Sequence, residues 1–122
     1  MINQKMSSFD QQLRSLNTTD IYDDGFLRIE HEVFHIECAK KPLKLARGEF
    51  LIVSLLARNI ERFVSSEALW KHIWKGRKPY NSESLKVLIY GLRRKFEPFG
   101  IRIETMATIG YKLMPVKQNK VV

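Results

Sequence analysis

Lys86, Tyr90 and Arg94 stand four residues apart in the run Asn81-Ser82-Glu83-Ser84-Leu85-Lys86-Val87-Leu88-Ile89-Tyr90-Gly91-Leu92-Arg93-Arg94-Lys95-Phe96. At about 100° per residue they share one helical side with Val87, while Leu85, Leu88, Ile89, Leu92 and Phe96 form the other stripe. The first of these faces offers cations and an aromatic hydroxyl. They are hydrogen-bond donors suited to phosphate oxygens and the acceptor edges of bases. A helix that buries one side and offers cations on the other is built to enter a major groove, so nucleic acid is the first partner to consider.

Charge points the same way. The chain has 122 residues, enough for one domain with a core, and a net charge of +8. Residues 1–44 carry six basic and seven acidic side chains, whereas residues 45–115 carry thirteen against six, a balance of +7. Two lysines follow in residues 116–122. The excess therefore sits on the segment that holds the helix, where it would attract a polyanion.

Other chemistries find less support. A single cysteine, Cys38, allows no internal disulfide, and a cytoplasmic protein is expected. The apolar run from Phe50 to Ala57 is far short of the ~20 residues a membrane helix needs, and the first residues lack a signal-peptide core. His31, His35 and Cys38 are the nearest approach to a metal set. Strand alternation places Cys38 with Phe34 and Ile36 and turns His35 away, so an ordinary strand with a buried thiol is expected and no metal. No Ser, His and Asp set has catalytic spacing and no Gly-rich phosphate loop occurs, so neither enzymatic activity nor a cofactor is expected. Trp70 and Trp74 lie one helical turn apart, a spacing that fits core packing for Trp70 and leaves Trp74, close to the loop, balanced between core packing and stacking on bases.

Around the central helix the expected elements are as follows. Residues 1–24 are polar, with a weak stripe at Phe9, Leu13 and Leu16, and form a linker or short appended helix. Period-two segments at 26–29, 33–38 and 42–45 predict three antiparallel strands, with turns at Glu30-His31-Glu32 and Ala39-Lys40-Lys41. A helix over about 48–59 turns Phe50, Val53, Leu56 and Ala57 inward. A second, capped at Ser65-Ser66, runs through Leu69, Trp70 and Ile73 to Trp74. After the loop Lys75-Gly76-Arg77-Lys78-Pro79-Tyr80, Asn81 or Ser82 caps the third helix over 82–96, and Pro98 stops it. Residues 101–105 and 110–113 close as a hairpin. This is an α+β winged helix-turn-helix: an N-terminal antiparallel sheet, three helices and a C-terminal β-hairpin wing over 101–113. It occupies residues 25–115, with a basic tail at 116–122.

Four fragments in this order are similar to a known family. Leu45-Ala46-Arg47-Gly48-Glu49-Phe50, Val64-Ser65-Ser66-Glu67-Ala68-Leu69, Ile89-Tyr90-Gly91-Leu92-Arg93-Arg94-Lys95-Phe96 and Thr105 to Gly110-Tyr111 resemble the effector domain of the OmpR/PhoB bacterial response regulators. The resemblance covers roughly residues 25–115. It implies sequence-specific binding of double-stranded DNA by a transcriptional regulator, pairing of copies on direct repeats, and a loop before the recognition helix open to RNA polymerase. Lys86, Val87, Tyr90 and Arg94 then face the groove, with Glu83 and Ser84 near base edges or phosphate. Arg102, Thr108 and Lys112 lie on the wing along the backbone or minor groove. Lys75, Arg77 and Lys78 occupy the loop, as polymerase or phosphate contacts.

Three departures from the family pattern carry expectations of their own. Residues 1–24 are too short for a receiver domain, so control by aspartyl phosphorylation is not expected. Ala46 replaces the usual Thr of a Thr-x-x-Glu capping box with Glu49. Ala107 and Thr108 replace the wing's usual Arg and Gly, which removes a minor-groove cation. With the uncharged Val87 and Gly91 on or beside the groove face, the altered wing favours an alternative: a winged-helix module that binds protein, with weak or no DNA binding.

Overall fold

The computed structural model describes residues 20–115; the expectations for residues 1–19 and for the tail at 116–122 lie outside them. The chain divides into two compact units at residues 43 and 44.

The first unit is a four-stranded antiparallel sheet in sequential order, β1 (Ile21–Asp23), β2 (Leu27–Glu30), β3 (His35–Cys38) and β4 (Lys41–Pro42). Leu27 pairs with Cys38 and Ile29 with Ile36, and these four alternate inward and are fully or almost fully buried. Three differences from the sequence expectation have local causes. Strand β1 falls within the stretch read as a linker, because Ile21-Tyr22-Asp23 is too short to show a period. Asp24 secures the turn that follows it, accepting the N–H groups of Phe26 and Leu27 at 2.9 and 2.8 Å. The strand expected from Val33 begins only at His35, since His31–Val33 forms a 3₁₀ turn that ends on Phe34 at φ 53°. Phe34 is therefore exposed instead of sharing a face with Ile36 and Cys38. The last strand stops at Pro42, not at Leu45.

The second unit holds three helices, α1 (Arg47–Arg58), α2 (Ser66–Trp74) and α3 (Ser82–Phe96), and a three-stranded sheet ordered β5 (Val64–Ser65), β7 (Gly110–Leu113), β6 (Ile103–Met106). Helix α1 packs on α2, α3 and β7. Its Phe50, Val53, Leu56 and Ala57 are buried as the period requires, joined by Leu51 and Ile52. Leu69, Trp70 and Ile73 from α2, Leu85, Ile89, Leu92 and Phe96 from α3, and Ile103, Tyr111 and Leu113 from the sheet complete the core. Leu88 is only half-buried and lies 3.3 Å from where a side chain on Gly48 would begin. The two-residue strand β5, too short for a sequence signal, pairs with β7 at Val64 and Tyr111. Its backbone crosses so near Gly110 that any Cβ there would overlap the Val64 carbonyl.

Helix starts follow the capping residues. Ser65 Oγ accepts the Ala68 N–H at 3.0 Å and Asn81 Oδ1 accepts the Ser84 N–H at 2.9 Å. Ala46 has no side-chain acceptor to offer, yet its own N–H donates to Glu49 Oε1 at 2.9 Å. Half of the capping box thus survives. The same carboxylate oxygen accepts Lys95 Nζ at 2.7 Å, joining the start of α1 to the end of α3. After Phe96 the chain makes one 3₁₀ turn, Glu97–Phe99, and is released by Gly100 at φ 71°.

Candidate nucleic-acid interface

Helix α3 shows a clean division of faces. Its buried stripe leaves Glu83, Ser84, Lys86, Val87, Tyr90 and Arg94 exposed, with Val87 at 68% and Tyr90 at 62%. Lys86 and Glu83 approach to 3.6 Å, but both are largely in water. Such a pair contributes little and leaves the ammonium free to swing. Arg94 has a partner on its own face: its guanidinium donates to the Tyr90 hydroxyl at 3.2 Å and lies 5.8 Å from that ring's centroid. The two residues present a single cationic and aromatic element one turn above Lys86.

Gly91 does not belong to this surface. A Cβ on it would come within 2.6 Å of Glu49 Oε2, so the position faces α1 and its lack of charge says nothing about the groove face. Arg93, which the sequence reading left without a role, holds the wing. Its Nε and Nη2 donate to the Ile103 carbonyl at 3.1 and 2.6 Å, Nη2 donates to Thr105 Oγ1 at 2.6 Å, and the guanidinium rests 5.8 Å from the Tyr111 ring. Ile103 and Thr105 lie on β6, the edge strand, so one fork both satisfies an edge carbonyl and sets the wing beside the helix. Position 93 follows Ile89 by four and precedes Phe96 by three, on the rim of the buried stripe. That spacing is the signal that could have revealed it.

A cleft of about 420 Å³ separates the start of α3 from the wing, lined among others by Tyr80, Ser82, Lys86, Met106, Ala107 and Thr108. On the wing, Arg102 is exposed and 3.4 Å from Glu104. Lys112 is half-buried, 3.7 Å from the same carboxylate and 4.6 Å from the Phe63 ring centroid. Thr108 occupies the turn at φ 65°, and the Ile109 N–H closes that turn on the Met106 carbonyl at 3.0 Å. Met106 and Ile109, absent from the sequence reading of the site, are 42% and 48% exposed.

The loop cations Lys75, Arg77 and Lys78 are all exposed, and two of them touch Trp74 at the end of α2. Lys75 ends α2 at φ 51°, Arg77 Nε donates to the Trp74 carbonyl at 3.2 Å, and Lys78 Nζ stands 4.2 Å over the Trp74 ring. Trp70 is core, with its indole N–H donating to the Lys78 carbonyl at 3.0 Å, while Trp74 is half-buried against it at a centroid distance of 5.8 Å. In the first unit, burial pushes the Cys38 thiol up to about 11, far from the thiolate a metal or redox site requires. Among the described residues no three His, Cys, Asp or Glu side chains are grouped to hold a metal ion.

Residues 40–113 match the family described as transcriptional regulatory protein, C terminal. The chain belongs to this family, the OmpR/PhoB effector domains. Among sequence relatives, the response regulator ArlR of Staphylococcus haemolyticus is 29% identical over 101 residues, which are 81% of this chain and 46% of that protein. The chain thus spans about half the length of the relatives it matches. Among solved structures, the response regulator DrrB of Thermotoga maritima, an OmpR/PhoB homologue, superposes with a TM-score of 0.67 at 27% identity, covering 83% of this chain and 48% of DrrB. The DNA-binding domain of RstA from Klebsiella pneumoniae, solved in complex with the RstA box, gives 0.64 at 25% identity and covers 75% of this chain and 94% of that domain. The winged-helix fold of the effector domain is the fold of this chain. No helix among the described residues is long and apolar enough to cross a membrane.

Proposed function

We propose that this chain is a sequence-specific, double-stranded DNA-binding transcriptional regulator that places α3 in the major groove and the β6–β7 wing along the backbone and minor groove. The observation that carries this reading is the exposed face of α3, where Lys86, Val87, Tyr90 and Arg94 project free of the core beside a wing fixed by Arg93. A helix so divided can dock as a rigid body, with donors on its exposed face that can reach guanine O6 and N7 or phosphate. Glu83 and Ser84, at the helix start, would lie near base edges or backbone. Arg102, Thr108 and the stem of Lys112 would follow the phosphates. The complex of RstA with its box supports the assignment by fold and sequence likeness.

Two finer roles belong to the same proposal. Copies pair on direct repeats, and the loop with Lys75, Arg77 and Lys78 meets either RNA polymerase or phosphate. The exposed apolar Val87, Met106 and Ile109 favour a second reading, a protein-binding module without DNA affinity. Selection of random duplexes by the purified chain tests the choice. Enrichment of one sequence supports the regulator; failure to retain any duplex at low salt overturns it in favour of the module.

A further inference from the structure

From Thr105 to Tyr111 the wing reads Thr-Met-Ala-Thr-Ile-Gly-Tyr and contains no cation. A charged finger, which would respond to the negative potential of a narrow groove, is therefore missing from the tip. In its place stand two large apolar side chains flanking the turn. Met106 ends β6 and is 42% exposed, Ile109 precedes β7 and is 48% exposed, and the turn between them is closed by the bond from Ile109 N–H to the Met106 carbonyl at 3.0 Å. Unlike scattered surface apolar residues, these two flank the turn of a hairpin that borders the recognition helix. The cleft that runs from Ser82 and Lys86 on α3 ends at Met106, Ala107 and Thr108. Met106 thus joins the tip to the surface assigned to DNA above, with Ile109 across the turn from it.

We propose that Met106 and Ile109 form an apolar minor-groove reader, which seats against deoxyribose and the edge of a base step flanking the site bound by α3. Sulfur and methyl groups cannot neutralise phosphate, and a thioether is at best a weak acceptor for a base N–H. What they can do is exclude water from the sugar walls and lodge against a step that opens easily, as apolar wedges do in minor-groove binders. Flanking preference then follows the deformability of the step, favouring pyrimidine–purine steps such as TA and CA, rather than the groove narrowness of A-tracts that an inserted arginine detects. The anchoring of the strand behind the tip suits this use, because Arg93 holds β6 through the Ile103 carbonyl and the Thr105 hydroxyl.

The proposal rests on the DNA-binding reading, and the experiment separates the two. The full chain and the Met106→Ser, Ile109→Ser double variant are compared on duplexes with the selected core and randomised flanks, after melting curves confirm that both are folded. The parent should enrich flexible steps at one fixed distance from the core. The double variant should keep the core preference, lose the flank preference and bind about tenfold more weakly, with an unchanged salt slope because no phosphate contact is removed. Met106→Leu with Ile109→Val should restore both affinity and flank preference. A parent that selects a core but shows flat flanks, or a serine variant with the parent's profile and affinity, overturns the apolar reader and leaves the DNA-binding reading standing. Absence of any selected core overturns both.

Discussion

Single residues in this domain carry strain and charge that can be measured apart from function. Thr108 is β-branched, yet sits at φ 65°, a region that favours glycine. Such a conformation costs on the order of 1–3 kcal/mol, and glycine would return part of the gain as lost chain entropy. Thr108→Gly should therefore raise stability by roughly 1 kcal/mol, visible as a higher melting midpoint; an unchanged midpoint would mean that the turn relaxes around threonine. His72 offers a second handle. Burial, then the nearby Lys75, Arg58 and Arg47, hold its imidazole below the ordinary value of 6.5. The unfolded chain accordingly takes up a proton at a higher pH than the folded one, so stability is fully present above about pH 6.5 and is lost as pH falls through the lowered folded value. Melting midpoints should drop between pH 7.5 and 5, and His72→Gln should flatten that drop.

At the level of elements, the start of α1 is the weak joint. Ala46 holds extended geometry, φ −67° and ψ 158°, and already donates its N–H to Glu49. Ala46→Thr would add the missing acceptor for the Glu49 N–H and stabilise the domain by about 1 kcal/mol. A melting midpoint at or below the parent's would show that the Glu49 carboxylate alone suffices for the cap. The recognition helix invites a different test. Losing a bidentate contact from Lys86 or Arg94 should flatten preference at one base position by about 1–3 kcal/mol, whereas Arg102→Ala should weaken all sequences alike. Uniform losses in all three variants would mean that α3 does not read bases. The helices were legible in the sequence because each has a periodic stripe long enough to count, and their caps, Ser65 and Asn81, have the side chains that caps need. Strands β1 and β5 were not, since two or three residues cannot display a period and their pairing depends on distant partners. On the interface, the exposed α3 face was visible from spacing alone. The hairpin of the wing was visible as well, but the direction of its side chains was not, because whether Arg93, Met106 or Lys112 turns inward depends on where β6 lies relative to α3, which no local pattern encodes. Gly91 was misplaced for the same reason: its neighbour is Glu49, more than forty residues away in the chain.

On the scale of the whole chain, charge rather than shape makes the strongest quantitative demand. The balance of +7 over residues 45–115 is gathered on the unit that holds α3 and the wing, while residues 1–44 are slightly acidic. Several of these cations have structural work: Arg93 is committed to β6 and Lys95 to Glu49, and Lys112 shares Glu104 with Arg102. The exposed cations Lys86, Arg94 and the loop's Lys75, Arg77 and Lys78, with Arg102 able to leave Glu104 for phosphate, set the contacts at about five to eight phosphates on one duplex site. Each neutralised phosphate releases counterions, so log K should fall with log salt at a slope of roughly −0.9 per contact, or about −4.5 to −7 in all. Titrations of the selected duplex between low and moderate salt measure this directly. A slope near zero would mean that association rests on apolar contact alone and would return the balance to the protein-binding module. A slope well beyond the range would require Lys112 and Lys95 as well to leave Glu104 and Glu49, and would predict that Glu104→Gln tightens binding without changing the preferred sequence.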